Sequence, residues 1–165
     1  MKNYLIIGGS SGIGKQLVNQ LAGEGYRVYA TYNNNEIQSV DQNVSYHKLD
    51  VLESDLDLDF LPEEIDGLAY CAGSINLKPF KRFKPEDFVS DYRLQLEGAV
   101  KVIQAIQTRL KKSGNASIVM FSTVAVQNGF NFHSQVSANK GAIEGLTRAL
   151  AAEFAPAIRV NCIAP

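Results

Sequence analysis

The stretch Tyr4-Leu5-Ile6-Ile7-Gly8-Gly9-Ser10-Ser11-Gly12-Ile13-Gly14 decides the fold. Its apolar run stops abruptly at Gly8-Gly9 and reads as a buried parallel strand. Beyond the glycines, Ile13, Leu17 and Leu21 recur every four residues, which predicts the apolar stripe of a helix ending near Gly23 and Gly25. A glycine-rich turn between a strand and a helix is the context in which such a motif is informative. Glycine lets the backbone turn sharply and approach a pyrophosphate closely, while the helix start offers unpaired N–H groups and a positive dipole end. Ser10 and Ser11 add hydroxyl donors. The turn is therefore expected to hold a dinucleotide. A P-loop also fits Gly9-x-x-x-x-Gly14-Lys15, but it requires Ser or Thr next, to ligate magnesium, and Gln16 stands there.

Outward from this turn, strands and helices alternate. Arg27–Thr31, Val44–Leu49, Gly67–Cys71, Ser117–Phe121 and Ile158–Ile163 read as strands. Pro85 opens a long helix whose predicted buried face is Leu96, Val100, Ile103, Ile106 and Leu110. A second long helix runs from about Ser134 to Phe154 and stops before Pro156. Leu52–Glu64 is acidic, carries Pro62 and leaves room for a turn or two of helix at most. This alternation predicts an α/β fold: a doubly wound, Rossmann-type parallel sheet with helices on both faces.

The chain has 165 residues, 45% apolar and 20% charged, which predicts one domain over 1–165. A net charge of −1 provides no basic field for nucleic acid or an anionic membrane. No apolar run is long enough to span a bilayer, and Leu5–Ile7 is too short for a secretory signal. A cytoplasmic location is expected. Cys71 and Cys162 sit in apolar runs and read as buried free thiols. His47 and His133 are too few and too far apart for a metal site.

The chain resembles the short-chain dehydrogenase/reductase family over essentially its whole length. The family's TGxxxGxG motif stands here as Ile7-Gly8-Gly9-Ser10-Ser11-Gly12-Ile13-Gly14, with Ile7 in place of threonine. The family's aspartate after the third strand matches Asp50, followed by Val51, a pair that contacts adenine in relatives. The NNAG motif appears as Tyr70-Cys71-Ala72-Gly73, with both asparagines changed. Lys140–Pro165, KGAIEGLTRALAAEFAPAIRVNCIAP, is the most specific match. The resemblance implies NAD(P)-dependent hydride transfer between the cofactor and a small carbonyl or alcohol. It assigns cofactor contacts to Gly8, Ser10, Ser11, Gly12, Ile13, Gly14, Asn33, Asp50, Val51, Cys71, Ala72, Gly73, Lys140 and Pro165.

The family's catalytic set is Asn, Ser, Tyr and Lys. Lys140 aligns with the lysine that holds the nicotinamide ribose and lowers the pKa of the tyrosine. Thr123 takes the serine position and keeps the hydroxyl that orients substrate; its neighbour Ser122 is expected to face the other side of the strand. Gln95 takes the asparagine position, one methylene longer. Val136 takes the tyrosine position and has no proton to exchange. Loss of a positioned acid or base costs about a hundred- to ten-thousand-fold in rate. His133, near the helix start, or a water beside Thr123 could supply a proton, but a surface-loop role is the plainer expectation for His133. A non-catalytic dinucleotide-binding or assembly module on the same fold is the alternative function.

No acid stands at the end of the second strand, Thr31-Tyr32-Asn33-Asn34, which permits NADP; no cation stands there to attract its phosphate, and Lys15 lies on the helix. NADP is expected ahead of NAD. Family members continue past the proline matching Pro165 with a substrate-covering region, a further strand and a helix, so the chain is expected to be truncated. The resemblance also implies a homo-oligomer pairing through the helices from Pro85 and Ser134.

Overall fold

The computed structural model describes residues 1–165. Six parallel strands form one sheet: β1 (Asn3–Ile7), β2 (Arg27–Tyr32), β3 (Val44–Lys48), β4 (Gly67–Tyr70), β5 (Ala116–Phe121) and β6 (Ile158–Ile163). Their order is β3-β2-β1-β4-β5-β6. The chain winds one way from β1 to β3 and the other way from β4 to β6, so a topological switch point lies between β1 and β4. In such sheets ligands bind at the carboxyl ends of the strands at this switch point. The helices are α1 (Gly12–Gly23), α2 (Pro85–Tyr92), α3 (Gly98–Ser113), the short α4 (Ala125–Asn128) and α5 (Ser134–Phe154).

Side chains alternate between two cores because a strand's period is two. Leu5 and Ile7 enter the larger core with Leu68, Ile106, Ile118 and Ile158, while Ile6 enters a smaller one with Val18, Val28, Ala30 and Ala69. Each fully buried Leu or Ile contributes about 1.5–3 kcal/mol relative to exposure. On the side of the smaller core, the face of β5 and β6 is open. Val119, Phe121 and Ile163 line a groove of about 680 Å³ there with Ile13, Lys15 and Leu17.

That groove corrects the reading of α1. The buried face is Gly14, Val18 and Ala22, one residue on from the predicted stripe. Leu17 and Leu21 only flank the core and Ile13 is 49% exposed. The close approach of the helix to the sheet demands small residues on its innermost face, and periodicity in large residues therefore marks the flank. Two smaller corrections follow the same logic. Cys71 and Cys162 are free but only partly buried. Leu96, in the turn before α3, and Val100 are half-buried, and in α3 Ala99 and Val102 take the innermost positions beside Ile103, Ile106 and Leu110.

The cause of the second shift is a single π turn, Arg93–Glu97, between α2 and α3. A π turn widens the helix and rotates everything beyond it. It also leaves a carbonyl in need of a partner, and the Tyr70 hydroxyl at the end of β4 donates to Leu94 O at 2.6 Å. Gly98 is required where the helix crosses this point, since a Cβ would strike the Tyr70 hydroxyl and stand 2.9 Å from Val51 Cγ2. The end of β4 is thus pinned to the turn that carries Gln95.

At the opposite edge, the His47 ring of β3 stacks on Phe60, with centroids 3.9 Å apart and planes 7° from parallel. Partial burial holds its pKa below the ordinary 6.5, with Asp57 opposing. A histidine kept neutral by the fold adds stability above its unfolded pKa that is lost as pH falls. The melting temperature is therefore expected to drop more steeply between about pH 6.5 and pH 5 in the wild type than in His47→Gln. Equal slopes would contradict this role.

Candidate cofactor and active site

All strands being parallel, their carboxyl ends gather Gly8, Asn33, Asp50, Cys71, Thr123 and Pro165 along one edge of the sheet. The Gly8–Gly14 turn sits at its centre. Gly8 has φ +78° and Gly12 φ +51°, conformations that side chains resist. A Cβ on Gly8 would stand 3.0 Å from Ala72 N and 3.1 Å from Cys71 C. A Cβ on Gly14 would strike the Gly8 carbonyl oxygen and come within 3.2 Å of Cys71 Cβ. Gly8, Gly14, Cys71 and Ala72 therefore form one close-packed unit across the switch point.

Next to this unit the surface is open. Nothing lies within 4 Å of a Cβ built on Gly12. Ser11 is the N-cap of α1 but makes no capping hydrogen bond, so its hydroxyl and the helix start remain available. Ser10 is half-buried and Ile13 exposed. A cradle with bare backbone, two serine hydroxyls and a helix N-terminus fits a pyrophosphate.

Asn33 and Asp50 line a second cavity of about 310 Å³ with Lys48, Glu53, Asp55 and Asp57. Asp50 Oδ1 accepts a hydrogen bond from Leu52 N at 2.9 Å, which shapes the turn. The side chain of Val51 is buried against Gly98, so of the pair only Asp50 turns its side chain to the cavity. Lys48 joins this cavity from another strand, which no local reading of the sequence shows. Register pairs it with Tyr32, next to Asn33. Lys15 lies elsewhere, in the groove beside Phe121.

The third group surrounds Gly73. The point where its Cβ would stand is 3.4 Å from Gln95 Oε1 and 3.8 Å from Lys140 Nζ. Gln95 is 1% exposed. Its Nε2 donates to both oxygens of Asp91 at 2.8 Å and to Ser74 O at 3.3 Å. Its Oε1 is buried with no partner and stands near Gly73, as does Lys140 Nζ. Lys140 is largely buried, and desolvation lowers the pKa of its ammonium, opposed chiefly by the Asp91 charge. Burial pushes the Cys71 thiol up to about 12, so it stays protonated.

Thr123 follows β5, and its Oγ1 accepts from Ala125 N at 3.3 Å, leaving the hydroxyl proton free to donate. Ser122 faces the other way, as expected, and donates to Glu144 at 2.7 Å. Val136 is buried. One turn earlier, His133 borders a cavity of about 550 Å³ with Phe80, Val126, Phe130 and Ser137, and is its only titratable side chain. Its Nδ1 lies 2.7 Å from Asn131 O, and since a carbonyl only accepts, Nδ1 carries a proton. No group of three or more potential metal ligands exists, and no helix is long and apolar enough to cross a membrane.

Comparison with known proteins agrees with this geometry. The short chain dehydrogenase family model matches residues 2–165. A tropinone reductase homolog of Arabidopsis thaliana is 32% identical over 99% of this chain and 68% of its own length. L-2,3-butanediol dehydrogenase of Corynebacterium glutamicum is 29% identical over 99% of this chain and 70% of its own length. The solved structure of ElxO with NADP bound superposes with a TM-score of 0.90 at 27% identity, covering 99% of this chain and 73% of that one. The chain belongs to the short-chain dehydrogenase family, whose members are NAD(P)-dependent oxidoreductases, and its sheet is of the Rossmann type.

Proposed function

We propose that this chain is an NADP(H)-preferring carbonyl reductase or alcohol dehydrogenase for small, largely apolar substrates. In the same reading it forms one cytoplasmic domain that works as a homo-oligomer. The observation that carries the enzymatic part is the packing of the Gly8–Gly14 turn onto Cys71-Ala72, with Lys140 Nζ beside Gly73. When bound, the nicotinamide cofactor supplies or accepts the hydride. The protein's residues do the rest. Gly12, Ser10 and Ser11 receive the pyrophosphate. Lys140 holds the ribose hydroxyls, and Gln95 Oε1 accepts a proton-bearing group on the same side. Thr123 donates a hydrogen bond from its free hydroxyl to the substrate oxygen and so orients it. The apolar cavity edged by Phe80 and Phe130 takes the substrate's carbon skeleton, and the dehydrogenase and reductase names of the relatives favour this reading over a binding module.

The preference for NADP rests on Lys48 and on the absence of an acid at the end of β2. A carboxylate there would repel a 2′-phosphate; the cavity's own carboxylates, Asp50, Glu53, Asp55 and Asp57, come from the loop after β3, and Lys48 next to Asn33 is its one cation. Lys48→Glu is expected to weaken NADPH binding about tenfold or more and leave NADH binding unchanged, because a hydrogen bond to a charged group contributes roughly 1.5–3 kcal/mol. Titration of both cofactors by fluorescence checks this, together with a carbonyl-reduction screen on the wild type. Equal losses for the two cofactors would remove Lys48 from the phosphate site.

A further inference from the structure

Asp91 is the only charged residue among the buried side chains, 4% exposed. An ionised carboxylate in such a place is costly unless it is hydrogen-bonded and faces compensating charge. The hydrogen bonds are present. Ser74 Oγ donates to Oδ1 at 2.8 Å, Asn139 Nδ2 donates to Oδ2 at 2.7 Å, and Gln95 Nε2 donates to both oxygens at 2.8 Å. These donors come from three places: the loop after β4, the π turn and α5. All are neutral, so none supplies charge. The chain's next residue after Asn139 is Lys140, itself largely removed from water.

Only three titratable groups act on Lys140: Asp91 from α2, Cys71 from the end of β4 and Cys162 from β6. Burial holds both thiols in their protonated, uncharged form. Asp91 is therefore the one standing negative charge that Lys140 meets. The two do not form a direct ion pair. Gln95, bonded to Asp91 through Nε2, has its Oε1 near Gly73, which the Lys140 ammonium also approaches.

We propose that Asp91 is a positioning residue of the active site: its clamped, buried carboxylate is the fixed counter-charge that keeps the Lys140 ammonium charged and seated beside Gly73. The network around it has a second consequence. With Gln95 Nε2 taken by Asp91 and Ser74 O, the amide leaves Oε1 as a buried acceptor near Gly73. The role of Lys140 in holding a cofactor rests on the function proposed above; the electrostatic pairing does not.

The test uses the protein without cofactor. Lysine acylation by a soluble acetylating ester is followed by mass spectrometry across pH, with Lys111 and Lys112 as internal references. Only the free amine reacts. Asp91 opposes the lowering of the Lys140 pKa by burial, so removing its charge lowers that pKa further and increases the free amine at fixed pH. A nearby opposite charge typically shifts a pKa by about one unit or more. Asp91→Asn is therefore expected to accelerate Lys140 acylation about tenfold at pH 8, with the reference lysines unchanged. Asp91→Glu restores the wild-type rate. Ser74→Ala, which removes a hydrogen bond but no charge, leaves it unchanged.

An unchanged Lys140 rate in Asp91→Asn, or an equal rise in Ser74→Ala, overturns the proposal and leaves Asp91 a structural residue. If Asp91→Asn does not fold, the wild type decides: the carboxyl ¹³C resonance of Asp91 should move at the pH where Lys140 titrates, and independent inflections overturn the pairing. Failure of the wild type to bind NADPH would overturn the cofactor reading and leave the acylation result standing.

Discussion

Val136→Tyr is expected to raise the rate of carbonyl reduction by about a hundred- to ten-thousand-fold, the contribution of a positioned proton donor. Val136 lies four residues before Lys140 on α5, so a phenol placed there shares a helix face with the ammonium. Helical side chains lean toward the N-terminus, which aims a tyrosine at 136 over the turn that carries His133, at the edge of the cavity beside α4. Lys140 would lower the phenol's pKa as a nearby cation does. Cofactor affinity should change little, since Val136 is not part of the glycine turn. Single-turnover kinetics with NADPH and a panel of small ketones measure the gain. A variant that folds and binds NADPH but is no faster than wild type would show that the proton already has another source, with His133 the titratable group closest to hand in that cavity.

The second large effect is expected from Gly14→Ala. The added methyl meets the Gly8 carbonyl oxygen, and this neighbour is backbone that no rotamer change can move. Gly8 in turn is held by hydrogen bonds from its N–H to Thr31 Oγ1 at 3.1 Å and by contact with Ala72. Overpacking of this kind costs roughly 1–3 kcal/mol. Relief requires α1 to move away from the sheet, which pulls Ser11 and the helix start off the cradle. The melting temperature should fall, and NADPH affinity should fall by about a hundredfold or more, equivalent to roughly 3 kcal/mol. Gly23→Ala, at a position with nothing within 4 Å, is the control and should preserve both. A Gly14→Ala protein with wild-type affinity would contradict the close-packed turn.

Much of this molecule was legible because the relevant signals are local. Strand runs ending in glycine placed β1 and β4 to within a residue, and Ser134–Phe154 was bounded correctly by its proline. What escaped depends on contacts between distant segments. The stripe Ile13, Leu17, Leu21 stood out by size, yet the helix approaches the sheet through Gly14, Val18 and Ala22. The π turn has no signature in residue types; it exists because Tyr70 satisfies the Leu94 carbonyl 24 residues along the chain. Lys48 reaches Asn33 only through the register of β2 with β3. Nothing in the sequence sets Asp91 apart from other acids on a helix. Only the meeting of Ser74, Gln95 and Asn139 around it shows a buried charge. Gln95 and Thr123 were found by the positions they occupy in a familiar pattern, but the orphaned Oε1 of Gln95 and the free hydroxyl proton of Thr123 are properties of the folded chain.

Val119, Phe121 and Ile163 line an apolar groove next to α1, on the sheet side opposite α3 and α5. The chain spans 68% of the length of the tropinone reductase homolog that it matches.

Binding of the cofactor is the claim on which the rest depends, and titration of the wild-type chain with NADPH, read by the fluorescence of the reduced nicotinamide, tests it most directly. The expected result is saturable binding that is lost in Gly14→Ala and strongly weakened in Lys140→Ala, with NADH binding more weakly. No binding of either dinucleotide, or magnesium-dependent binding of ATP at the same turn in their place, would contradict it.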